Sequence, residues 1–286
     1  MPGVTGRSRL FVKLTRDLLP QVRDRYPFIY LEHGRLEVDD SSIKWIDSEG
    51  GVLRIPAAML QCLLLGPGSS VTHEAVKVLA SVKSQVMWVG EDSLLYYAQG
   101  LSPTADTRAV LRQIRLASTP KTALEVARRM YARRFPDCDL SGKSLPEMMG
   151  MEGVRVRRLY LEKSREYGVK WEGRRFTPGV FSAGDTTNRI LTACNAALYG
   201  LLTSVVHACG YTPYVGFIHS GSPLPFVYDI SDIYKSQLCI DLAFKLSAEL
   251  GGQYDRKRVS QAFREKVLEI DLLGRAADDI EYFLGG

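Results

Sequence analysis

Gly100-Leu101-Ser102-Pro103-Thr104 divides the chain. Before it, apolar residues come in short runs with a period near two, cut by Gly, Pro and Asp. After it, the apolar spacing lengthens to nearly four. This change of period predicts an α+β chain: a small N-terminal β-sheet domain over 1–99, a linker over 100–106, and a larger all-α domain over 107–286. A chain of 286 residues can bury a sizeable core.

Upstream of the divide, turn signals recur about every ten residues. PFIYLEHG (27–34) alternates and stops at Gly34. RLEVDDSSIKWID (35–47) predicts two strands around an Asp39-Asp40-Ser41 turn, and GGVLRIP (50–56) a strand that Pro56 ends. MLQCLLLGPG (59–68) is apolar throughout, as expected of a strand covered on both faces. A helix follows, with Ser70 or Thr72 as cap, Glu74 in its first turn, and Ala75, Val76, Leu79, Ala80 and Val82 as its stripe. A hairpin around Gly90-Glu91-Asp92 closes the region. His33 and His73 stand alone and read as structural.

Downstream, 107–116 and 122–135 predict basic amphipathic helices, and 136–144 a loop. LPEMMGMEGVRVRRLYLEKSREYG (145–168) is a long helix with Glu152 among methionines and small residues. TTNRILTACNAALYGLLTSVVHACG (186–210) carries almost no charge and reads as the central helix. LCIDLAFKLSAEL (238–250) and 255–284 are mixed helices.

The net charge of +5 and pI near 8.9 are mild, so the placement of the basic residues matters more than their sum. Five cysteines without a CxxC pair exclude a disulfide framework or zinc knuckle and read as reduced thiols. The N-terminus lacks the apolar core of a secretory signal. No run of about eighteen apolar residues predicts a membrane span, so the cytoplasm is the expected compartment.

The residues richest in chemistry are GFIHSGSPLPFVYDISDIYK (216–235). Phe217-Ile218-His219 reads as the edge of an apolar strand or helix, then a turn, then a helix from Phe226. On that helix Asp229 and Asp232 are three residues apart and face one side, with Lys235 a turn further on. Two carboxylates on an apolar face repel and resist desolvation unless a cation joins them. Carboxylates with one imidazole suit Mg²⁺ or Mn²⁺. The same pattern also fits a solvated helix face, with Asp229 as a cap and Asp232 paired to Lys235. Glu152 could pair with Arg155 within its own helix.

GMEGVRVR (150–157), ALYG (197–200) and the 216–235 stretch together, in this order and spacing, closely resemble the type I-E-like CRISPR-associated integrase of the adaptation, or spacer acquisition, module. The resemblance runs from about Pro27 to Phe283. It implies an N-terminal β domain, a C-terminal helical domain, and a site of Glu152, His219 and Asp232 that binds Mg²⁺ or Mn²⁺ and is catalytic. Asp229 matches a supporting acidic position, while Tyr199 and Lys235 match positions near the reacting strand. The implied activity inserts captured DNA duplexes into a repeat array by 3′-hydroxyl attack, with an associated endonuclease activity. A stand-alone endonuclease on branched DNA and a non-catalytic DNA-capture scaffold are the rival readings. The implied partners are double-stranded DNA, a second copy of the chain paired through the β domain, and a small ferredoxin-like subunit. Lys77, Arg112, Arg115, Arg129, Arg133, Arg155, Arg256 and Arg258 are the expected DNA-backbone contacts, with Arg128, Arg134 and Arg158 as further members of the track. Two departures stand out. His33-Gly34 occupies the turn where relatives set an aromatic ring against the duplex end, and the chain stops at Gly286 without the Pro-rich tail some relatives carry.

Overall fold

A computed structural model describes residues 25–39, 42–90, 96–100, 107–175 and 184–285. The last strand, β8 (Tyr96–Gly100), is followed only by helices from α2 (Arg108–Ser118) onward among the described residues, as the change of period predicts. The expected linker, except Gly100, lies outside the described residues, as do parts of the Asp39-Asp40-Ser41 and Gly90-Glu91-Asp92 turns.

Two four-stranded sheets form the N-terminal region. The first has the order β1 (Tyr26–Leu31), β5 (Leu60–Leu65), β7 (Gln85–Val89), β8 (Tyr96–Gly100). β5 runs parallel to both β1 and β7, and β8 is antiparallel. The second has the order β4 (Val52–Ile55), β3 (Ser42–Asp47), β2 (Gly34–Asp39), β6 (Ser69–Val71). Residues 69–71 thus form a short strand, and Thr72, not Ser70, caps α1 (His73–Ser81) by accepting from the Ala75 backbone N–H.

β5 is buried along its whole length because its two faces serve different cores. Leu63 and Leu65 pack with Leu36, Trp45, Leu79 and Val86 between the sheets and α1. Cys62 and Leu64 point the other way, with Phe28, Met87 and Val89, into the core of the helical region. Side chains alternate along a strand, so one apolar run cements both halves of the molecule.

The element that meets this second face is α5 (Thr186–Ala208). Its Gly200 allows the approach: a Cβ there would lie 3.3 Å from Met87 Sδ. Gln61 Nε2 donates to the Ser204 carbonyl across the same contact at 3.3 Å. Among the described residues α5 is the one helix long and apolar enough to cross a membrane by length and composition; here it is the core around which the other helices pack.

The remaining helices are α2 (Arg108–Ser118), α3 (Pro120–Arg134), α4 (Leu145–Glu166), α6 (Pro225–Lys235), α7 (Asp241–Glu249), α8 (Arg256–Glu269) and α9 (Leu272–Leu284). Proline at the first turn starts α3, α4 and α6, where its missing N–H costs nothing. A π-helical turn over Ser236–Ile240 joins α6 to α7. Three sequence expectations are corrected. Phe217–His219 is loop, because its backbone N–H groups are held by a side chain rather than by a ladder or helix. Residues 255–284 form two helices, broken at Asp271 with φ +47°. The helix expected at 238–250 begins in the π turn, continuous with α6.

Candidate functional site

Glu152, His219 and Asp232 come from three separate parts of the helical region and meet at the floor of one cleft of about 1100 Å³. α4 carries Glu152, a loop before α6 carries His219, and α6 carries Asp232. Arg155, Arg158, Arg174, Tyr160, Tyr199, Tyr228 and Lys235 line the walls.

Each carboxylate has one oxygen committed to a fixed partner. Tyr131 Oη, on α3, donates to Glu152 Oε2 at 2.8 Å. Lys235 Nζ donates to Asp232 Oδ1 at 2.7 Å, one turn along the same helix. The remaining oxygens, Glu152 Oε1 and Asp232 Oδ2, share one cationic nitrogen. Arg134 Nη1 donates to Glu152 Oε1 and lies 3.6 Å from Asp232 Oδ2. His219 Nε2 sits 3.8 Å from the same Asp232 oxygen.

Asp229 has a different task. Its carboxylate is fully buried and accepts from four donors. The Phe217 and Ile218 backbone N–H groups reach Oδ2 at 2.6 and 3.2 Å. The His219 N–H and Nδ1 reach Oδ1 at 2.9 and 2.8 Å. This arrangement shapes the 217–219 loop and points the far ring nitrogen at Asp232. Gly216 makes it possible: a Cβ there would lie 2.6 Å from the His219 carbonyl and 3.0 Å from Asp229 Oδ2. The Asp229 bond, opposed by partial burial and aided by the nearby Asp232 charge, raises the imidazole pKa above its ordinary value.

Lys235 is packed over the Tyr199 ring at 4.9 Å. Burial alone would lower its pKa; the Asp232 charge and Tyr199 outweigh that and raise it. Burial is also the main cause of the raised Tyr131 pKa, reinforced by Glu152, so this hydroxyl stays a donor.

As they stand, no three His, Cys, Asp or Glu side chains among the described residues converge tightly enough to chelate a cation. The chemistry nevertheless fits a hard divalent ion: two carboxylates already gather around a cation, with an imidazole nitrogen beside them. Arg134 stands in that place.

The comparisons with known proteins bear on these residues. A family model described as CRISPR associated protein Cas1 matches residues 129–258, a span that holds Glu152, His219 and Asp232. "CRISPR-associated endonuclease Cas1 2" of Chlorobaculum tepidum is 59% identical over 97% of this chain and 94% of that protein. The chain belongs to the Cas1 family. The Cas1 protein of the same description from Thermus thermophilus is 42% identical over 92% of this chain and 80% of its own length. A crystal structure of a TtCas1–DNA complex superposes with a TM-score of 0.81 at 40% identity, covering 91% of this chain and 92% of that one.

The basic residues expected from the sequence divide into groups. Arg155 faces the cleft, its guanidinium 4.7 Å from the Phe135 ring centroid, so the intrahelical pair with Glu152 does not form. Arg112 and Arg115 lie exposed on α2. Arg133 is held by Asp279 at 2.8 Å, Arg256 by Glu32 at 2.6 Å, and Arg258 by Glu249 at 3.3 Å. Arg129 donates to the Tyr282 carbonyl at 3.4 Å, and Lys77 pairs with Glu74 at 3.3 Å. His33 occupies a turn with φ +54°, and its backbone N–H and carbonyl are bonded to Pro67 and Ser48.

Three residues of the site escaped the sequence reading in these roles. Arg134 stood there only as one of many arginines on a basic helix. Tyr131 gave no periodic signal apart from core. Arg174 lies between the helices expected at 145–168 and 186–210, and Asn188 Oδ1 and Thr192 Oγ1 each accept from it at 2.9 Å.

Proposed function

We propose that this Cas1-family chain is a divalent-metal-dependent DNA integrase that inserts short duplexes into a CRISPR repeat array and cuts DNA when water replaces the attacking strand. The observation that carries the reading is a trio of donor atoms gathered in a cationic, aromatic cleft: Glu152 Oε1 and Asp232 Oδ2, which share the Arg134 cation, and His219 Nε2 beside them. These atoms would hold Mg²⁺ or Mn²⁺. When bound, the metal supplies Lewis-acid polarisation of the scissile phosphate and charge neutralisation at the reacting oxygens.

The chain's own residues do the rest. Asp229 fixes the His219 ring so that Nε2 faces Asp232. Tyr131 and Lys235 each restrain one acid, which limits the reorganisation left for the reaction. Arg155, Arg158 and Arg174 line the cleft where a phosphodiester backbone would run, and arginine forks suit phosphate oxygens. Tyr199 and Tyr228, ring centroids 4.8 Å apart, form an aromatic wall beside the acids for a sugar or base.

The 3′-hydroxyl oxygen of the captured strand forms a bond to phosphorus as the repeat strand's P–O3′ bond breaks. The hydroxyl gives up its proton and the departing 3′-oxygen gains one, so one phosphodiester is exchanged for another without ATP. In the assembly we infer, two copies pair through their strand regions and a small ferredoxin-like subunit bridges two such pairs in the cytoplasm.

Incubation with a short duplex, the partner subunit and a supercoiled repeat-containing plasmid tests the reading. Wild type is expected to join the duplex with Mn²⁺ or Mg²⁺, while folded His219→Ala or Asp232→Ala does not. Joining at wild-type rate by either variant would overturn the assignment, and cleavage of branched DNA without any joining would favour a stand-alone nuclease.

A further inference from the structure

Arg134 holds a position that the metal must also occupy. Its Nη1 bonds Glu152 Oε1 and lies 3.6 Å from Asp232 Oδ2, the two carboxylate oxygens that no other side chain restrains. The side chain is only 14% exposed, and its guanidinium carbon lies 5.1 Å from the Phe135 ring centroid. Arginine cannot shed its charge here, so it leaves the carboxylates only by moving. A cation bound to Glu152 Oε1 and Asp232 Oδ2 would meet both the Arg134 charge and its bulk.

We propose that Arg134 is a resident counter-ion of the empty site, which a divalent cation displaces and a DNA phosphate draws away. Without metal, the guanidinium neutralises two acids whose repulsion would otherwise push them apart. With metal, the same guanidinium is released into a cleft built for phosphodiesters, where it takes a non-bridging phosphate oxygen. Phosphate and metal then favour the same displaced position of one side chain. DNA binding therefore tightens metal binding, and metal tightens DNA binding by the same factor. Arg134 acts as a positioning residue that links the two ligands and keeps the unloaded enzyme from holding a reactive metal.

The proposal rests on Glu152, His219 and Asp232 being the metal ligands, so Mn²⁺ affinity is measured first in wild type and His219→Ala by titration calorimetry on the full chain. Equal affinities would sink the ligand reading and this proposal with it. Given weaker binding by His219→Ala, Arg134→Gln is expected to bind Mn²⁺ about tenfold or more tighter than wild type without DNA, the worth of one charge-assisted hydrogen bond. A short blunt duplex should tighten Mn²⁺ binding in wild type, and that gain should shrink by a similar factor in Arg134→Gln. Tyr131 and Lys235 still restrain the acids in this variant, which guards against a trivial loss of the site. Arg134→Lys keeps the charge but loses the fork, and its affinity should fall between the two. If Arg134→Gln does not fold, Arg134→Lys carries the test, with at least about twofold tighter Mn²⁺ binding expected. Affinity in the folded variant equal to or weaker than wild type would overturn the proposal.

Discussion

Asp229→Asn is the sharpest perturbation of the loop that presents His219. The carboxylate is fully buried and satisfies four donors, two on each oxygen. An amide has one oxygen. Turned one way, its NH₂ group faces the Phe217 and Ile218 N–H groups and leaves both unmet; turned the other way, it faces the His219 N–H, which stays unmet, and Nδ1, which accepts only if the imidazole changes tautomer. A buried unsatisfied donor costs about 1–3 kcal/mol, so one or two of them cost roughly 1–6 kcal/mol. A domain's whole stability is about 5–15 kcal/mol. Relaxation of the 217–219 backbone offsets part of the cost, and we expect about 3 kcal/mol in urea denaturation. Function should suffer more than stability, because one turn releases the backbone of the loop that carries His219 and the other either frees the ring or moves its proton to Nε2, the nitrogen that faces Asp232. Mn²⁺ affinity should fall by roughly tenfold or more, in keeping with the usual cost of losing such a support. Joining activity should follow at fixed metal concentration and recover in part with added Mn²⁺. A folded Asp229→Asn protein within about 0.5 kcal/mol of wild type, with unchanged Mn²⁺ affinity, would refute the reasoning.

Two other expectations concern the supports around the site and the clasp between the two halves. Tyr131→Phe removes one restraint on Glu152, so it should cost about 1 kcal/mol and weaken Mn²⁺ binding severalfold; calorimetry showing no change in either would count against the role of Tyr131. Glu32 joins β1 to α8 through Arg256 at 2.6 Å. Burial alone would raise its pKa, but hydrogen bonds from Arg256 and Tyr30 and the Arg256 charge outweigh that and lower it from 4.5. A depressed folded-state pKa means that the stabilisation is complete above the unfolded value and disappears as pH falls through the folded one. Glu32→Gln should therefore cost about 1 kcal/mol at about pH 7 and progressively less as pH falls below the ordinary Glu value, read from denaturant midpoints along a pH series; a cost that does not vary with pH would contradict this.

The division into strands and helices was legible because it rests on period, a local property. β5 announced itself as a strand covered on both faces by its unbroken apolar run, and α5 as the central helix by its lack of charge. What covers the second face of β5 was not legible, since Gly200 meeting Met87 joins residues more than a hundred positions apart. The same limit applied to the site. From spacing alone Asp229 and Asp232 looked equivalent, and the difference lies in the loop at 217–219. One carboxylate is consumed by backbone donors there and the other keeps an oxygen for a cation. Periodicity showed that α3 is basic but not that Arg133 turns to Asp279 while its neighbour Arg134 turns to Glu152. The family resemblance supplied the grouping of Glu152, His219 and Asp232; the folded chain shows which atoms of each remain available.

Crystals of the full chain soaked in Mn²⁺ and measured at the manganese edge test the central claim most directly. The account predicts one strong anomalous peak within about 2.1 Å of Glu152 Oε1, Asp232 Oδ2 and His219 Nε2, with Arg134 turned away and Asp229 still bonded to the loop. A peak bound by Asp229, or none at these three atoms at saturating Mn²⁺, would contradict it.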